Sequence, residues 1–308
     1  MHVIHGHKHV LPEFRGSAIA IGNFDGVHRG HRALIAEAKR HARDARAPSA
    51  VMIFEPHPRE FFQPDETHFR LTPLKRKIVL LETLGIDVAF VEPFNAELAA
   101  LTAEHFIERV LVAGLGVVHV VIGYDFYFGH KRGGNPELMV RAGEELGFGV
   151  TVMPPIAEAG EPFSSSGVRL YLAQGDVKGA AHVLGENWRV AGRVVGGAKR
   201  GTDMGYPTAN LPMPKGTTLG HGIYAVRAYF DGVPHDAAAY LGTRPTFDDG
   251  MPVLEVYLFN FSGDLYGREM EVEFIDFIRG DRKFHSVDEL VAQMDEDIAK
   301  VQAVLAKA

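Results

Sequence analysis

The chain has 308 residues, of which 46% are hydrophobic and 23% are charged, and its mean hydropathy is −0.03. These values predict a globular protein of about two domains and exclude disordered and fibrous chains. Acidic residues outnumber basic ones by 39 to 32, which argues against a nucleic-acid partner, and the absence of cysteine excludes disulfides, Cys-ligated metal sites and thiol nucleophiles.

The first two-thirds of the chain alternates predicted strands with predicted helices. Apolar runs predict strands over residues 17–22, 50–54, 88–91, 117–122 and 150–153. Apolar residues three and four apart predict helices over residues 73–84, 103–111, 136–146 and 176–184, and one more that carries Leu34, Ile35, Ala38 and Ala42 on one face. Strands that alternate with helices in this way are typical of βαβ units with a parallel sheet.

The pattern changes near Gly185. Short strands separated by Gly, Pro and Asp are predicted over residues 189–195, 222–230, 235–240, 252–259 and 270–278, which favours a small antiparallel barrel. A closing helix is predicted after Ser286, which forms a capping box with Glu289. Its apolar stripe consists of Val287, Leu290, Met294, Ile298, Val301 and Leu305. We therefore place a boundary at residue 185, between domains 1–185 and 186–308.

No segment has the pattern of a membrane or export signal. The longest apolar run, residues 110–123, is too short to cross a bilayer, and the first residues lack the basic and apolar regions of a signal peptide. We expect a cytoplasmic protein with no membrane partner. The alternating His2, His5, His7 and His9 are interpreted as a polar lead-in, with a metal-binding tract as the alternative.

The segment GNFDGVHRGH, residues 22–31, lies where a predicted strand ends and a helix begins. It is open to three interpretations: an Asp-Gly hairpin turn, a metal site of two histidines, and an anion site at the helix N-terminus. The hairpin fails because a helix follows. An anion site is favoured because His28 and His31 can donate to phosphate oxygens there, and the glycines let the backbone approach closely.

This segment resembles the first motif of the adenylyltransferase module in the bifunctional riboflavin kinase/FAD synthetase family, with HRGH matching the HxGH signature of nucleotidyltransferases. Three more segments resemble family motifs in the same order: FEPHP at 54–58, GYDFYFG at 123–129 and SSSGVR at 164–169. The resemblance implies a Rossmann-like nucleotidyltransferase domain in which His28 and His31 are catalytic. It implies nucleotide or flavin contacts for Gly22, Asn23, Phe24, Asp25, Gly30, His57, Asp125, Arg132, Ser164, Ser165, Ser166 and Arg169. Gly167 stands where the family usually has a basic residue.

In the last third, GYPTAN at 205–210 resembles the GFPTAN motif of riboflavin kinase. A hydroxyl and an amide carbonyl two residues apart on one strand can both reach a hard cation, so Thr208 and Asn210 are the expected Mg²⁺ ligands. Glu255 stands in an apolar strand, where a solvent-facing residue is the ordinary interpretation and the resemblance instead makes it the catalytic general base. The resemblance also implies contacts for Gly196, Lys199, Gly201, Gly205, Pro207, Thr208, Asn210, Arg244 and Arg279. Thr202 stands where the family often has Arg.

The motifs imply a bifunctional enzyme of flavin-cofactor biosynthesis. The riboflavin kinase-like barrel would transfer the γ-phosphoryl group of ATP to riboflavin, and the N-terminal domain would transfer AMP to the resulting FMN, giving FAD and pyrophosphate. Mg²⁺ is the expected cofactor, the expected partners are ATP, riboflavin and FMN, and a homo-oligomer is left open. A nucleotidyltransferase for another substrate with an idle barrel, and a non-enzymatic flavin sensor, are the alternatives. Both are disfavoured because HRGH, PTAN and Glu255 are intact.

Overall fold

A computed structural model of the chain describes residues 1–196, 205–214, 216–243 and 252–308. These residues form two compact units, Met1–Ser165 and Ser166–Ala308. The sequence places the boundary at residue 185 instead, so the two units and the two predicted domains differ by the helices that precede this residue. None of the helices within the described ranges combines the length and the hydropathy that a membrane crossing needs.

The first unit is built around a six-stranded sheet flanked by helices. Its strands are β1 (His2–His5), β2 (Ala18–Ile21), β3 (Ser49–Glu55), β4 (Val88–Pro93), β5 (His119–Gly123) and β6 (Gly149–Met153). Its helices are α1 (Arg29–Ala45), α2 (Pro58–Phe62), α3 (Leu74–Thr83), α4 (Ala96–Ala99), α5 (Ala103–His105), which continues as a π-helix over Phe106–Leu115, and α6 (Pro136–Leu146). Two 3₁₀ turns, Pro12–Phe14 and His130–Arg132, and the small hairpin of β7 (Ala157–Glu158) and β8 (Glu161–Pro162) lie between them.

The strand order of this sheet is β1-β4-β3-β2-β5-β6, and every pair is parallel. Ile19 and Phe90 belong to the core on one face, and Val51 and Ile53 belong to the core on the other. From β2 the chain passes first to β3 and later to β5 on the opposite side, so the direction of crossover reverses there. The carboxyl ends of strands at such a switch point form the crevice in which open α/β sheets bind ligands. The predicted parallel sheet is confirmed.

Three segments of the first unit differ from the prediction. The histidine-rich start forms the edge strand β1, which pairs with β4, because backbone pairing requires no particular side chains. The helix predicted over residues 103–111 is mostly π-helical, a winding that apolar periodicity does not reveal. The short helix α2 lies between the predicted strand over 50–54 and the predicted helix over 73–84, where no element is predicted. It forms because His57 caps it and Pro58 stands at its first position.

The second unit contains α7 (Ser165–Ala173) from its second residue, α8 (Val177–Leu184) and six strands. The strands are β9 (Arg189–Arg193), β10 (Ala209–Pro212), β11 (Gly222–Phe230), β12 (Val233–Thr243), β13 (Pro252–Leu258) and β14 (Glu269–Arg279). They pair antiparallel in the order β10-β13-β12-β11-β14-β9, and a bridge between Val195 and Asn210 brings the two edges together. The predicted small antiparallel barrel is therefore confirmed, as is the closing helix α9 (Val287–Leu305).

Helix α9 begins at its predicted N-cap, and its buried face overlaps the predicted apolar stripe only in part. Val301 and Leu305 are buried as expected, whereas Val287 is 63% exposed. Gln293 and Asp297, which lie outside the predicted stripe, are also buried. The reason is electrostatic: two arginines near the end of β14 hydrogen-bond these polar side chains and draw them inward.

Candidate active sites

The two histidines of the HRGH segment lie at the start of α1. His28 is the N-cap residue, and its Nδ1 accepts a hydrogen bond from the backbone N–H of His31 at 3.4 Å. The two rings stack with their centroids 3.5 Å apart. The Nδ1 atom of His31 is buried, and it has no hydrogen-bond partner in the part of the chain that the structure describes. A buried nitrogen without a hydrogen-bond partner at a helix N-terminus indicates a ligand site, and an anion can accept a hydrogen bond from its N–H group.

Both imidazoles are neutral at pH 7. Burial lowers the pKa of His28 to about 4, against the opposing charge of Asp25. Burial, followed by the nearby His28 and Lys77, holds the pKa of His31 well below its ordinary value. Each ring therefore donates through one N–H. Gly30 makes the close stacking feasible, since a Cβ there would lie 3.1 Å from the His28 ring.

The loop between β2 and α1 has a strained backbone and is fixed by hydrogen bonds from residues outside the loop. Phe24 and Val27 are fully buried and have φ angles of +47° and +43°, which disfavour side chains by of order 1–3 kcal/mol each. The Asp25 carboxylate accepts hydrogen bonds from the backbone N–H groups of Leu71 at 3.2 Å and Thr72 at 3.1 Å. The residues that precede α3 thus fix the loop through Asp25, which is a predicted nucleotide contact.

Lys77 is a residue of this site that sequence reasoning missed. Lys77 lies on α3 and is 4% exposed. Its Nζ donates a hydrogen bond to the backbone oxygen of Asn23 at 2.5 Å. Burial lowers the pKa of its ammonium group, against the opposing charge of Asp25. A signal was present in the sequence, because Leu80 and Leu81 follow Lys77 at helical spacing and are buried on the same helix.

His57 lies beyond the carboxyl end of β3, where it caps α2 through its Nδ1. Burial, and then the positive field of His68, lowers the pKa of His57 to about 4. The rings of these two histidines lie 4.6 Å apart. Arg70 stands nearby and pairs with Glu55 at 2.8 Å and with Glu60, an arrangement that the sequence did not indicate.

The loop after β5 presents aromatic faces to solvent. Tyr124 is 53% exposed, and the guanidinium of Arg132 lies 5.0 Å from the ring centre of Tyr127. Asp125 is exposed, and its Oδ1 lies so close to Gly123 that a Cβ there would come within 2.9 Å. The loop follows the strand next to β2, so both motif loops leave the same edge of the sheet. Exposed rings beside a cation suit a planar aromatic ligand.

The SSSGVR segment is divided between the units. Ser164 and Ser165 end the first unit, and the Ser165 hydroxyl donates to the backbone oxygen of Asp25 at 2.8 Å. Ser166 and Arg169 lie on α7 in the second unit. Ser165 is therefore placed directly against the loop before α1.

The barrel aligns the predicted kinase residues in one row. Asn210 on β10 stands opposite Glu255 on β13, and Glu255 stands opposite Tyr240 on β12. Residues directly opposite in antiparallel strands have their Cβ atoms about 4.5–5.5 Å apart. Asn210 is 4% exposed, its amide lies 3.4 Å from the backbone oxygen of Thr208, and Glu255 is half-buried. The PTAN motif and the single carboxylate of β13 are therefore neighbours.

The second unit contains two further residues of interest, Tyr240 and Asp297, that the sequence analysis missed. Burial, with the charge of Asp281 as its next cause, raises the pKa of Tyr240 to about 12. Arg279 donates to the carboxylate of Asp297 from Nε at 2.9 Å and from Nη2 at 2.7 Å. Its guanidinium is thus occupied by a buried acid, and its predicted position against a flavin stays a prediction.

The remaining predicted contacts of the second unit lie on exposed turns or outside the described residues. Gly196, Gly205 and Pro207 are exposed, and Gly205 has a φ angle of +90°. Lys199, Gly201, Thr202 and Arg244 lie outside the described residues.

The fold and the two sites define a class of protein. The first unit has two imidazoles and a helix N-terminus at the switch point of a parallel sheet. The second unit is an antiparallel barrel with a neighbouring Asn and Glu. Together these features are typical of a two-unit nucleotide-dependent transferase.

Comparison with known proteins gives the family. A family model described as FAD synthetase matches residues 10–167, and one described as riboflavin kinase matches residues 184–305. The bifunctional riboflavin kinase/FMN adenylyltransferase of Pseudomonas fluorescens is 39% identical over 99% of this chain and 98% of its own. The Escherichia coli K12 protein of that name is 41% identical over 92% of this chain and 90% of its own. The chain therefore belongs to the bifunctional riboflavin kinase/FMN adenylyltransferase family, which confirms the predicted family and its pair of transferase functions.

A solved structure shares this fold over nearly the whole chain. It is described as a macrolide-efflux protein from Streptococcus pneumoniae and matches with a TM-score of 0.85 at 28% identity, covering 98% of this chain and 99% of its own.

Proposed function

We propose that the first unit transfers the adenylyl group of ATP to FMN with His28 and His31 as phosphate donors. A phosphate oxygen of FMN attacks the α-phosphorus of ATP, the bond from that phosphorus to the bridging oxygen breaks, and pyrophosphate leaves with the electron pair. No side chain needs to act as nucleophile. The observation that carries this proposal is the buried, unpaired Nδ1 of His31 at the start of α1. Donors fixed before the reaction stabilise charge that develops on phosphate oxygens.

In the second unit, Glu255 acts as the general base of riboflavin phosphorylation. The terminal ribityl oxygen attacks the γ-phosphorus of ATP, its proton passes to the Glu255 carboxylate, and the bond to the β–γ bridging oxygen breaks to release ADP. The register that sets Glu255 beside Asn210 supports this role, because base and nucleotide-binding residues must meet at one substrate.

Thr208 and Asn210 are the residues of this barrel that would hold Mg²⁺. Their hydroxyl and amide oxygens are hard donors, and Mg²⁺ is commonly held by few protein ligands together with water and phosphate oxygens. The half-buried Glu255 adds negative charge to the same face. When bound, Mg²⁺ would neutralise phosphate charge.

A flavin assay tests both activities. The protein is incubated with riboflavin, ATP and Mg²⁺, and the flavins are separated over time. We expect FMN to appear first and FAD later, with ADP released in an amount equal to FMN plus FAD and pyrophosphate in an amount equal to FAD. A second reaction that starts from FMN should give FAD without ADP. Absence of FAD in both reactions would contradict the adenylyltransferase proposal, and absence of FMN from riboflavin would contradict the kinase proposal.

A further inference from the structure

Lys77 is a buried cation on which the negative charges of Asp25, Glu55 and Glu60 act without forming an ion pair within the described residues. It occupies an inward position of α3, next to the buried Leu80 and Leu81, where packing alone would favour an apolar residue. Its ammonium group donates to one backbone oxygen, that of Asn23. Among the described residues no carboxylate forms an ion pair with it. Burying a charge without a close counter-ion is unfavourable, so a cation retained here points to an anion that binds.

A second observation places that anion in the adenylyl-transfer site. The Lys77 charge acts on both His31 and His57, and it lowers the pKa of each. Its hydrogen bond to Asn23 lies in the loop that leads from β2 to His28. Near it the buried Nδ1 of His31 has no partner in the described ranges. An ammonium group and an unpaired imidazole nitrogen in one place form a donor set for phosphate.

We propose that the Lys77 ammonium binds a phosphate group of the substrates in the first unit, an assignment that rests on the adenylyltransferase function proposed above. Two substrates carry this chemistry: the triphosphate of ATP, whose outer part leaves as pyrophosphate, and the phosphate of FMN. The lysine keeps its proton throughout. It compensates charge on the phosphate oxygens while the α-phosphorus passes from one oxygen to the other.

Three substitutions separate binding of phosphate from support of the loop. Lys77→Gln keeps an N–H donor toward Asn23 and loses the charge, Lys77→Arg keeps the charge, and Lys77→Met loses both. We expect the Gln and Met variants to lose about 10²–10³-fold in kcat/KM for FAD formation, the loss typical of removing one preorganised donor, and the Arg variant to keep most of it. Lys75→Met, an exposed lysine on the same helix, is the matched control and should behave as the unchanged chain does.

Steady-state assays with each substrate varied in turn identify the source of the phosphate. A rise in KM confined to ATP assigns Lys77 to the triphosphate, and one confined to FMN assigns it to the flavin phosphate. Riboflavin phosphorylation by the second unit reports on integrity of the rest of the protein. If Lys77→Gln forms FAD at the normal rate while Lys77→Met does not, the lysine only supports the loop and the proposal is wrong.

Binding of inorganic pyrophosphate, measured by titration calorimetry, is independent of turnover. We expect the unchanged chain and Lys77→Arg to bind it, and Lys77→Gln to bind at least about tenfold more weakly, which corresponds to the 1.4 kcal/mol of one decade. Equal binding by Lys77→Gln and the unchanged chain would overturn the proposal. This result stays informative if the protein makes no FAD, so failure of the proposed function and failure of the Lys77 assignment can be told apart.

Discussion

His31 is the residue on which the first site most directly depends, because its buried Nδ1 is free to meet a ligand within the described structure. We expect His31→Ala to reduce FAD formation by about 10²–10³-fold and to leave FMN formation close to normal. His41→Ala is a matched control on the same helix, since the His41 ring stacks on His119 instead. Separation of flavins by chromatography measures both products. A variant that forms FAD at the normal rate, or no FMN, would contradict the assignment.

Glu255 allows the corresponding test in the barrel. Glu255→Gln keeps the size of the side chain and removes the base, so riboflavin phosphorylation should fall by about 10²–10⁴-fold. Adenylylation of supplied FMN should continue, because that reaction belongs to the other unit. Glu269→Gln changes an exposed carboxylate on β14 and should have no effect. Normal kinase activity in Glu255→Gln would remove this residue from the role of base.

The buried histidines also predict how stability depends on pH. The pKa values of His28 and His57 are lowered to about 4 from an ordinary value of 6.5. Between these values the unfolded chain binds more protons than the folded one, so the free energy of unfolding falls as pH decreases from about 6.5 to 4. Above pH 6.5 these groups contribute no slope. Denaturant melts of the unchanged chain and of His57→Gln, which should show a shallower decline, measure the effect.

At the scale of elements, the motif loops could be predicted because their chemistry is local. HRGH lies at the predicted junction of a strand and a helix, which the structure bears out, whereas the strand β10 that carries Asn210 of PTAN lies outside the predicted strand ranges. The inward position of Lys77 could be predicted from its helical spacing to Leu80 and Leu81, but its contact with Asn23 and the place of Tyr240 depend on which strand or loop lies opposite. The burial of Asp297 on α9 was missed for the same reason, since an arginine from another element pairs with it.

The pairing of α9 with β14 should be a large term in the stability of the barrel. Asp297→Asn removes the charge that compensates Arg279. Removing one partner of a fully buried ion pair costs about 3–5 kcal/mol of stability. We expect a smaller loss here because the arginine is partly exposed. Asp295→Asn on the same helix removes the charge of an exposed carboxylate that accepts a hydrogen bond from the Tyr206 hydroxyl, and it should cost no more than about 1 kcal/mol. Calorimetry of both variants compares the two losses, and equal melting temperatures would show that the buried pair adds little.

At the scale of the whole molecule, the open question is where the kinase unit begins. The sequence puts the boundary at residue 185, whereas the described residues divide after Ser165. Helices α7 and α8 belong with the barrel by their contacts: the Gly220 N–H donates to the backbone oxygen of Leu172 at 2.8 Å, and Lys178 pairs with Asp276 on β14. Both contacts would be lost from a fragment that starts at residue 186.

Two fragments, 166–308 and 186–308, distinguish these boundaries. We expect both to convert riboflavin to FMN with Mg²⁺ and ATP and neither to make FAD, because His28 and His31 lie in the other unit. The longer fragment should melt at a higher temperature, because it contains the buried apolar side chains of α7 and α8 that the shorter fragment lacks. Each fully buried large apolar side chain contributes about 1.5–3 kcal/mol to stability. Calorimetry and flavin chromatography decide the matter. Equal melting temperatures would place the boundary at residue 185, and FAD from either fragment would overturn the assignment of the two sites.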